Sequence, residues 1–314
     1  MGRLASTVTV LVMSTGCCSG WSDFEPLDLG VSADLEAVTI VDGWFLAAGS
    51  DGTVVAFTVD SSEPVAWIVA DGADLHGVSV GPGPVDWWVV GDDGSIAFSN
   101  TRGRLWKDVA LATTNDLYAI GRVGDEIVVV GDDLVRVRQT DGTWIEPPAP
   151  ASGWGRLRAV SSHPYLGPVW AVGLDGVIVS AATPSGDWVA ENSGTEADLQ
   201  VVTWGTQAKL LAMGEAGTMV VRDEGTGEWS LIDAGIDVDF VGADGFDGSM
   251  VVAEDGRILK LYDHGRQGWE LETFTSYPGA RTVAVDSDMG GLSLAVVGEG
   301  GTAAVRTITY CGKV

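Results

Sequence analysis

The sequence predicts an all-β fold: a seven-bladed β-propeller with four antiparallel strands per blade, the last blade closed by the N-terminal strand. Three observations carry this. A similar unit returns about every forty residues. Each unit holds a strand, a Gly-rich acidic turn and a second strand. No stretch of the chain shows helical periodicity.

The central hairpin of each unit is the clearest element. WVVGDDGSIAF at 88–98 has near-copies opening at Trp44, Glu126, Val169, Leu210, Ser249 and Ser293. Their anchor positions are Gly49, Gly91, Gly131, Gly173, Gly214, Ala253 and Gly298, in steps of 39 to 45 residues. The turns between them (GSDG, GDDG) offer glycine for positive φ and Asp for a hydrogen bond to nearby backbone. Ahead of each hairpin lies a short apolar segment: DLEAVTI at 34, DLHGVSV at 74, DLYAI at 116, RLRAV at 156, DLQVV at 198, DVDFV at 237 and RTVAV at 281. Behind it a polar loop leads to a tryptophan that opens a fourth strand: Trp67, Trp106, Trp144, Trp188, Trp229 and Trp269. Four short strands at this period make a propeller blade.

The seventh unit ends without its tryptophan strand. Trp21 begins WSDFEPLDLG ahead of the first full unit and resembles the other tryptophan strands, so it is expected to supply the outer strand of the last blade. Closure of that kind joins the termini and removes an open sheet edge. The propeller domain is thus expected over 21–314. Hydrophobic residues make up 46% of the chain and charged residues 19%, which suits strands buried on both faces. Seven blades form one closed unit, so 314 residues give one domain rather than two.

Residues 1–17 read as a signal peptide: a basic start at Arg3, an apolar stretch over 4–13 too short to span a bilayer, then small residues up to Cys17. Ser14, Thr15 and Gly16 before Cys17 resemble the lipobox of bacterial lipoproteins, although Ser14 stands where the lipobox carries Leu. The resemblance implies lipidation of Cys17 and a protein held on an envelope membrane without spanning it, on the periplasmic or surface side. Ordinary secretion with cleavage nearby is the alternative. Cys18 is expected just before the closing strand and Cys311 at the end of the neighbouring third strand of the last blade, so they are candidates for a disulfide in an oxidising compartment; two unrelated cysteines, with Cys18 in a mobile tail, are the other reading.

The hairpin-plus-turn units followed by a Gly-containing turn and Trp resemble BNR/Asp-box propeller repeats, and above all propellers of the photosystem II stability and assembly factor type, over residues 21–310. RQTDGTW at 138–144 comes nearest to an Asp box, in which Asp141 would make the turn bond, Gly142 take the left-handed conformation and Trp144 pack between sheets. TPSGDW and DEGTGEW keep the Trp without that Asp. The resemblance implies an accessory propeller that holds other proteins during assembly. Such motifs specify fold strongly and function weakly.

Catalysis has little support. Sialidases share the Asp-box propeller, but they have six blades and arginines spread around the channel, and none of the five tyrosines here has the context of their nucleophile. A sialidase-like hydrolase is therefore the third reading. GVSVG at 77–81 satisfies G-x-S-x-G, yet Ser79 lies within a strand and no helix pattern follows. His76, His163 and His264 fall in three different blades, so neither a transition metal nor another cofactor is expected.

Charge narrows the partners. The formal net charge is −27, from 44 acidic and 17 basic residues, which argues against nucleic acid. Asp51, Asp92, Asp93, Asp132, Asp133, Asp175, Glu215, Glu254, Asp255 and Glu299 occupy equivalent turns and are expected to ring one face. They read as solvated turn residues or as a face for a basic partner or Ca²⁺. Asp237, Asp239, Asp244 and Asp247 match no calcium loop. Arg102, Arg104, Arg136, Arg138, Arg156 and Arg158 cluster on blades two to four, and Arg136 and Arg138 point to one side of a strand. They form a candidate binding surface for an anionic partner, or else scattered ion pairs.

The expectation is an exported, lipid-anchored, non-catalytic propeller acting as a protein-interaction or assembly scaffold. The alternative is a carbohydrate-binding propeller, for which Trp87, Trp88, Trp154, Trp170 and Trp204 would have to be exposed together around one rim to stack on sugars.

Overall fold

The structure is a computed structural model that describes residues 24–59, 63–83, 85–162, 167–205, 209–244, 250–264, 269–288 and 291–309. The signal stretch, Cys17, Cys18, Cys311, Trp21, His163 and Asp247 lie outside these residues.

Seven four-stranded antiparallel sheets make up the molecule. Their inner strands are Leu35–Val41, Leu75–Val80, Leu117–Val123, Leu157–Ser162, Leu199–Trp204, Phe240–Asp244 and Ala280–Asp288. Each inner strand contacts the next, and the last contacts the first, so the sheets form a closed ring around a central channel. The seventh sheet takes its outer strand from the other end of the chain: Glu25 and Pro26 pair with Val305 and Ala304. The closing strand is therefore centred a few residues beyond Trp21.

The core is divided rather than central. Seven clusters of buried apolar residues each lie between two neighbouring blades. Between blades 7 and 1, for example, Phe45, Val55 and Phe57 meet Ala295, Val297 and Val305. Successive residues of a strand point to opposite faces, so each second strand feeds two clusters. Leu46 and Ala48 face blade 2, while Phe45 and Ala47 face blade 7.

The anchor glycines have a steric cause. A Cβ at Gly49 would stand 1.8 Å from the carbonyl oxygen of Asp34, and at Gly91 1.9 Å from that of Asp74. The backbone entering each inner strand passes where a side chain would be. The following turn puts two residues into the left-handed region, as at Asp51 (φ 54) and Gly52 (φ 66), which is the hairpin turn that Asp-Gly favours.

The Asp that precedes most inner strands acts between blades. The Asp74 carboxylate accepts the Asp51 N–H at 2.8 Å, Asp116 that of Asp93 at 3.0 Å, Asp198 that of Asp175 at 2.9 Å and Asp239 that of Ala216 at 2.8 Å. Asp34 closes the ring in the same way, accepting the Gly300 N–H at 2.7 Å. Five of the seven turns are latched by a carboxylate to the start of the next blade in this way.

The tryptophans are internal. Trp87 and Trp88 are each 3% exposed, Trp154 3%, Trp170 6% and Trp204 7%. They pack edge-on against other indoles between blades, Trp67 on Trp87, Trp88 on Trp144, Trp154 on Trp188 and Trp170 on Trp204. The five do not form an exposed rim on which sugars could stack, and the carbohydrate-binding alternative loses its main support. Asp141 accepts the Thr143 N–H and hydroxyl at 2.8 and 2.7 Å, Gly142 has φ 88, and Trp144 meets Trp88. Those Thr143 bonds, assisted by Arg138, hold the Asp141 carboxyl below its ordinary pKa.

Candidate functional site

In every blade the pairing of inner and second strands slips by one residue just after the inner strand begins. The residues left out of the ladder are Glu36, His76, Tyr118, Arg158, Gln200, Val241 and Arg281. A bulge re-aims the unpaired side chain. All of them but Arg281, with Thr282 beside it, line a cavity of about 490 Å³ at the mouth of the channel. The walls below are small and apolar, with Ala37, Val78, Ala119, Ala159, Val202 and Ala243 among them.

One side of the mouth is charged. His76 lies between two carboxylates, with Nδ1 2.6 Å from Glu36 and Nε2 2.6 Å from Asp92. Burial works against the charged imidazole, but these two partners outweigh it and raise the pKa to about 9. The ring sits 5.3 Å from that of Tyr118. On its other side Tyr118 carries the Arg158 guanidinium, 3.4 Å from the ring centroid. The phenol is thus flanked by two cations, a favourable use of the aromatic quadrupole. Arg158 also reaches Asp132 at 3.4 Å. The far side, at Gln200, Val241 and Thr282, is uncharged.

At the mouth the acids and bases are engaged with one another. Burial raises the pKa of Tyr118, and the neighbouring Arg158 opposes that only in part. Glu36 is engaged by His76 rather than by the phenol. Ser79 lies inside an inner strand, and its hydroxyl donates to the Val80 carbonyl at 3.4 Å. His264 pairs with Glu270 at 2.9 Å. Among the described residues no three His, Cys, Asp or Glu side chains are grouped so as to hold a metal ion.

The acidic turns fall on the face where the inner strands begin, around the mouth. Asp51, Asp93, Asp133, Asp175, Glu215, Glu254, Asp255 and Glu299 are exposed, and Asp92 and Asp132 are half-buried. Several are already paired: Asp92 with His76, Asp132 with Arg158, Asp255 with Arg257 at 2.7 Å and Glu299 with Arg281 at 2.6 Å.

The six arginines are spread over three places. Arg102 and Arg104 occupy a loop on the opposite face, where Arg102 pairs with Asp42 at 3.0 Å. Arg136 and Arg138 do share one side of their strand, but it faces blade 2; Arg136 reaches Glu146 at 2.9 Å and Arg138 lies over the Trp88 ring. Arg156 is exposed on the turn face, where it replaces the latching Asp, and Arg158 enters the mouth. Sequence reading did not pick out Glu36, Tyr118 or Gln200, and weighed His76 only as a metal ligand without companions.

A second polar cluster lies between blades 4 and 5. The Glu191 carboxylate accepts from the Trp170 and Trp229 indoles at 3.2 and 2.6 Å, the Ser180 hydroxyl, and Arg222 at 3.2 Å. Both oxygens are occupied by the protein's own donors, so the cluster pins two blades together.

No protein-family model and no curated protein matches the chain. Solved structures do match. "YCF48 bound to D1 peptide" superposes with a TM-score of 0.70 at 14% identity, covering 93% of this chain and 97% of that one. "YCF48 from Cyanidioschyzon merolae" gives 0.69 at 13% identity, covering 92% and 99%. At such identity the likeness establishes the shared fold.

Proposed function

We propose that this chain is a non-catalytic propeller that holds a polypeptide segment across the mouth of its central channel, as an interaction or assembly scaffold. The observation that carries this reading is the ring of bulged residues. Seven blades spend an irregularity at the same place, and six of them aim six different side chains at one opening. Such a mouth offers a cation, an aromatic edge, an amide and an apolar side within one cavity, which suits the varied side chains of a peptide. The acids and bases there are paired with one another instead of converging on a nucleophile. A propeller of the same fold is known with a peptide bound, which supports the reading as an analogy of architecture. Export with a lipid anchor at Cys17 belongs to the same proposal, and mass spectrometry of the mature N-terminus tests it.

Photocrosslinking tests the channel. A benzophenone residue in place of Gln200 in the full-length protein, irradiated in its native envelope, is expected to give an adduct with one discrete protein. The same probe at Ile68, exposed on the outer strand of blade 1, is expected to give none of it. Tyr118→Ala combined with Arg158→Ala should reduce the adduct at least severalfold. Recovery of polysaccharide alone, or an adduct indifferent to the double substitution, would sink the reading.

A further inference from the structure

We propose that the outer edge of blade 6 receives a fifth strand from a partner polypeptide, an extended segment with basic residues at alternate positions. The site lies on the rim of the ring, away from the channel mouth, and does not depend on that reading.

The outer strands of the other blades are short. Glu25–Pro26, Lys107–Asp108 and Trp144–Ile145 span two residues each, Val189–Glu191 three, and Val65–Ile68 and Trp229–Ile232 four. Short edges are how sheet proteins avoid pairing with other chains. Blade 6 departs from this: Trp269–Ser276 runs for eight residues. It is held firmly on one side, paired with the third strand from Asp263↔Trp269 to Arg257↔Ser276. On its other side no strand pairs with it among the described residues. An ordered row of backbone donors and acceptors is the template that added strands use. The bulge that leaves Phe274 out of the ladder bends the far end, so the straight part is Trp269–Thr273.

Side chains select the occupant. Glu270 and Glu272 are two apart, share a face of the strand, and are both exposed. His264 lies 2.9 Å from Glu270 and Lys260 of the third strand stands opposite Glu272, so basic neighbours fit this face. A second copy of this chain added antiparallel would bring these carboxylates against their own counterparts, between molecules each carrying −27; like charges across a pair of strands are destabilising. A strand with Lys or Arg at alternate positions meets both carboxylates with the opposite sign.

The test uses the full-length protein and a fluorescent ten-residue peptide of alternating Lys and Thr. Two controls are its Glu-for-Lys analogue and the Lys peptide N-methylated on amides facing both edges. The Lys peptide is expected to bind, by anisotropy, and to slow hydrogen exchange within residues 269–276. Glu270→Lys with Glu272→Lys should weaken it by about tenfold or more, while the far-UV spectrum of the protein stays unchanged. N-methylation should abolish binding, because the charge remains but the strand cannot pair. No binding, exchange protection on the acidic turn face instead, or equal binding of the N-methylated peptide would each overturn the proposal.

Discussion

At the scale of residues, His76 concentrates the electrostatics of the channel. Its imidazole titrates near 6.5 when unperturbed and at about 9 in the fold. Folding therefore favours the protonated form. The stabilisation is complete below about pH 6.5 and is lost as pH rises through 9. The interval corresponds to an upper bound of about 3 kcal/mol, which exposure of Glu36 and Asp92 to solvent reduces to roughly 1–2 kcal/mol. Urea unfolding between pH 6 and 10 is expected to show this decline, and His76→Gln should flatten it. An unchanged slope in the variant would assign the decline to other groups.

The same residues show why the site was hardly legible in the sequence. A bulge adds one residue without altering composition, so Glu36, Tyr118 and Gln200 looked like outward positions of an alternating strand. A signal was nevertheless present. Aligning DLEAV, DLHGV, DLYAI, RLRAV and DLQVV with one another shows an invariant Leu before, and small or apolar residues after, a third position that is Glu, His, Tyr, Arg or Gln. A variable polar site inside a constant apolar frame marks a position released from packing. The arginines separate for a related reason: nearness in sequence does not survive a chain that crosses the blade from face to face at each strand.

At the scale of elements, the latches explain a repeated feature that periodicity alone treated as strand. The Asp before an inner strand satisfies the N–H at the tip of the preceding blade's turn, a bond worth about 1 kcal/mol net. Asp74→Ala, Asp116→Ala and Asp198→Ala should each lower the unfolding free energy by about that much. Arg156→Ala should leave it nearly unchanged. There the Asp133 N–H is already taken by the Gly155 carbonyl at 2.9 Å, so the turn needs no carboxylate. Equal losses for all four variants, measured by urea denaturation, would show that the latch does not act through this bond.

At the scale of the molecule, blade number, strand order and closure were all legible, because each blade buries two faces and must repeat its apolar pattern to do so. The lengths of the outer strands were not. A tryptophan marks where each lies, but edge strands face solvent and carry no alternation that fixes their ends. Closure rests on Glu25–Pro26 against Ala304–Val305. A chain starting at residue 27 is therefore expected to melt at a lower temperature than one starting at residue 24, and to self-associate through the uncovered edge. Calorimetry and size-exclusion chromatography of the two would decide; identical behaviour would place the burden of closure on the Asp34 latch and the apolar seam.

That seam also has a timetable. Asp34 and Gly300 are 266 residues apart, which at ribosomal rates of ~5–20 residues per second is roughly 13–50 s of synthesis. For nearly all of that interval Phe45, Val55 and Phe57 lack their partners on blade 7, since Ala295, Val297 and Val305 are made only at its end. The flank of the first blade is the earliest face of the propeller to be made and the last to be covered.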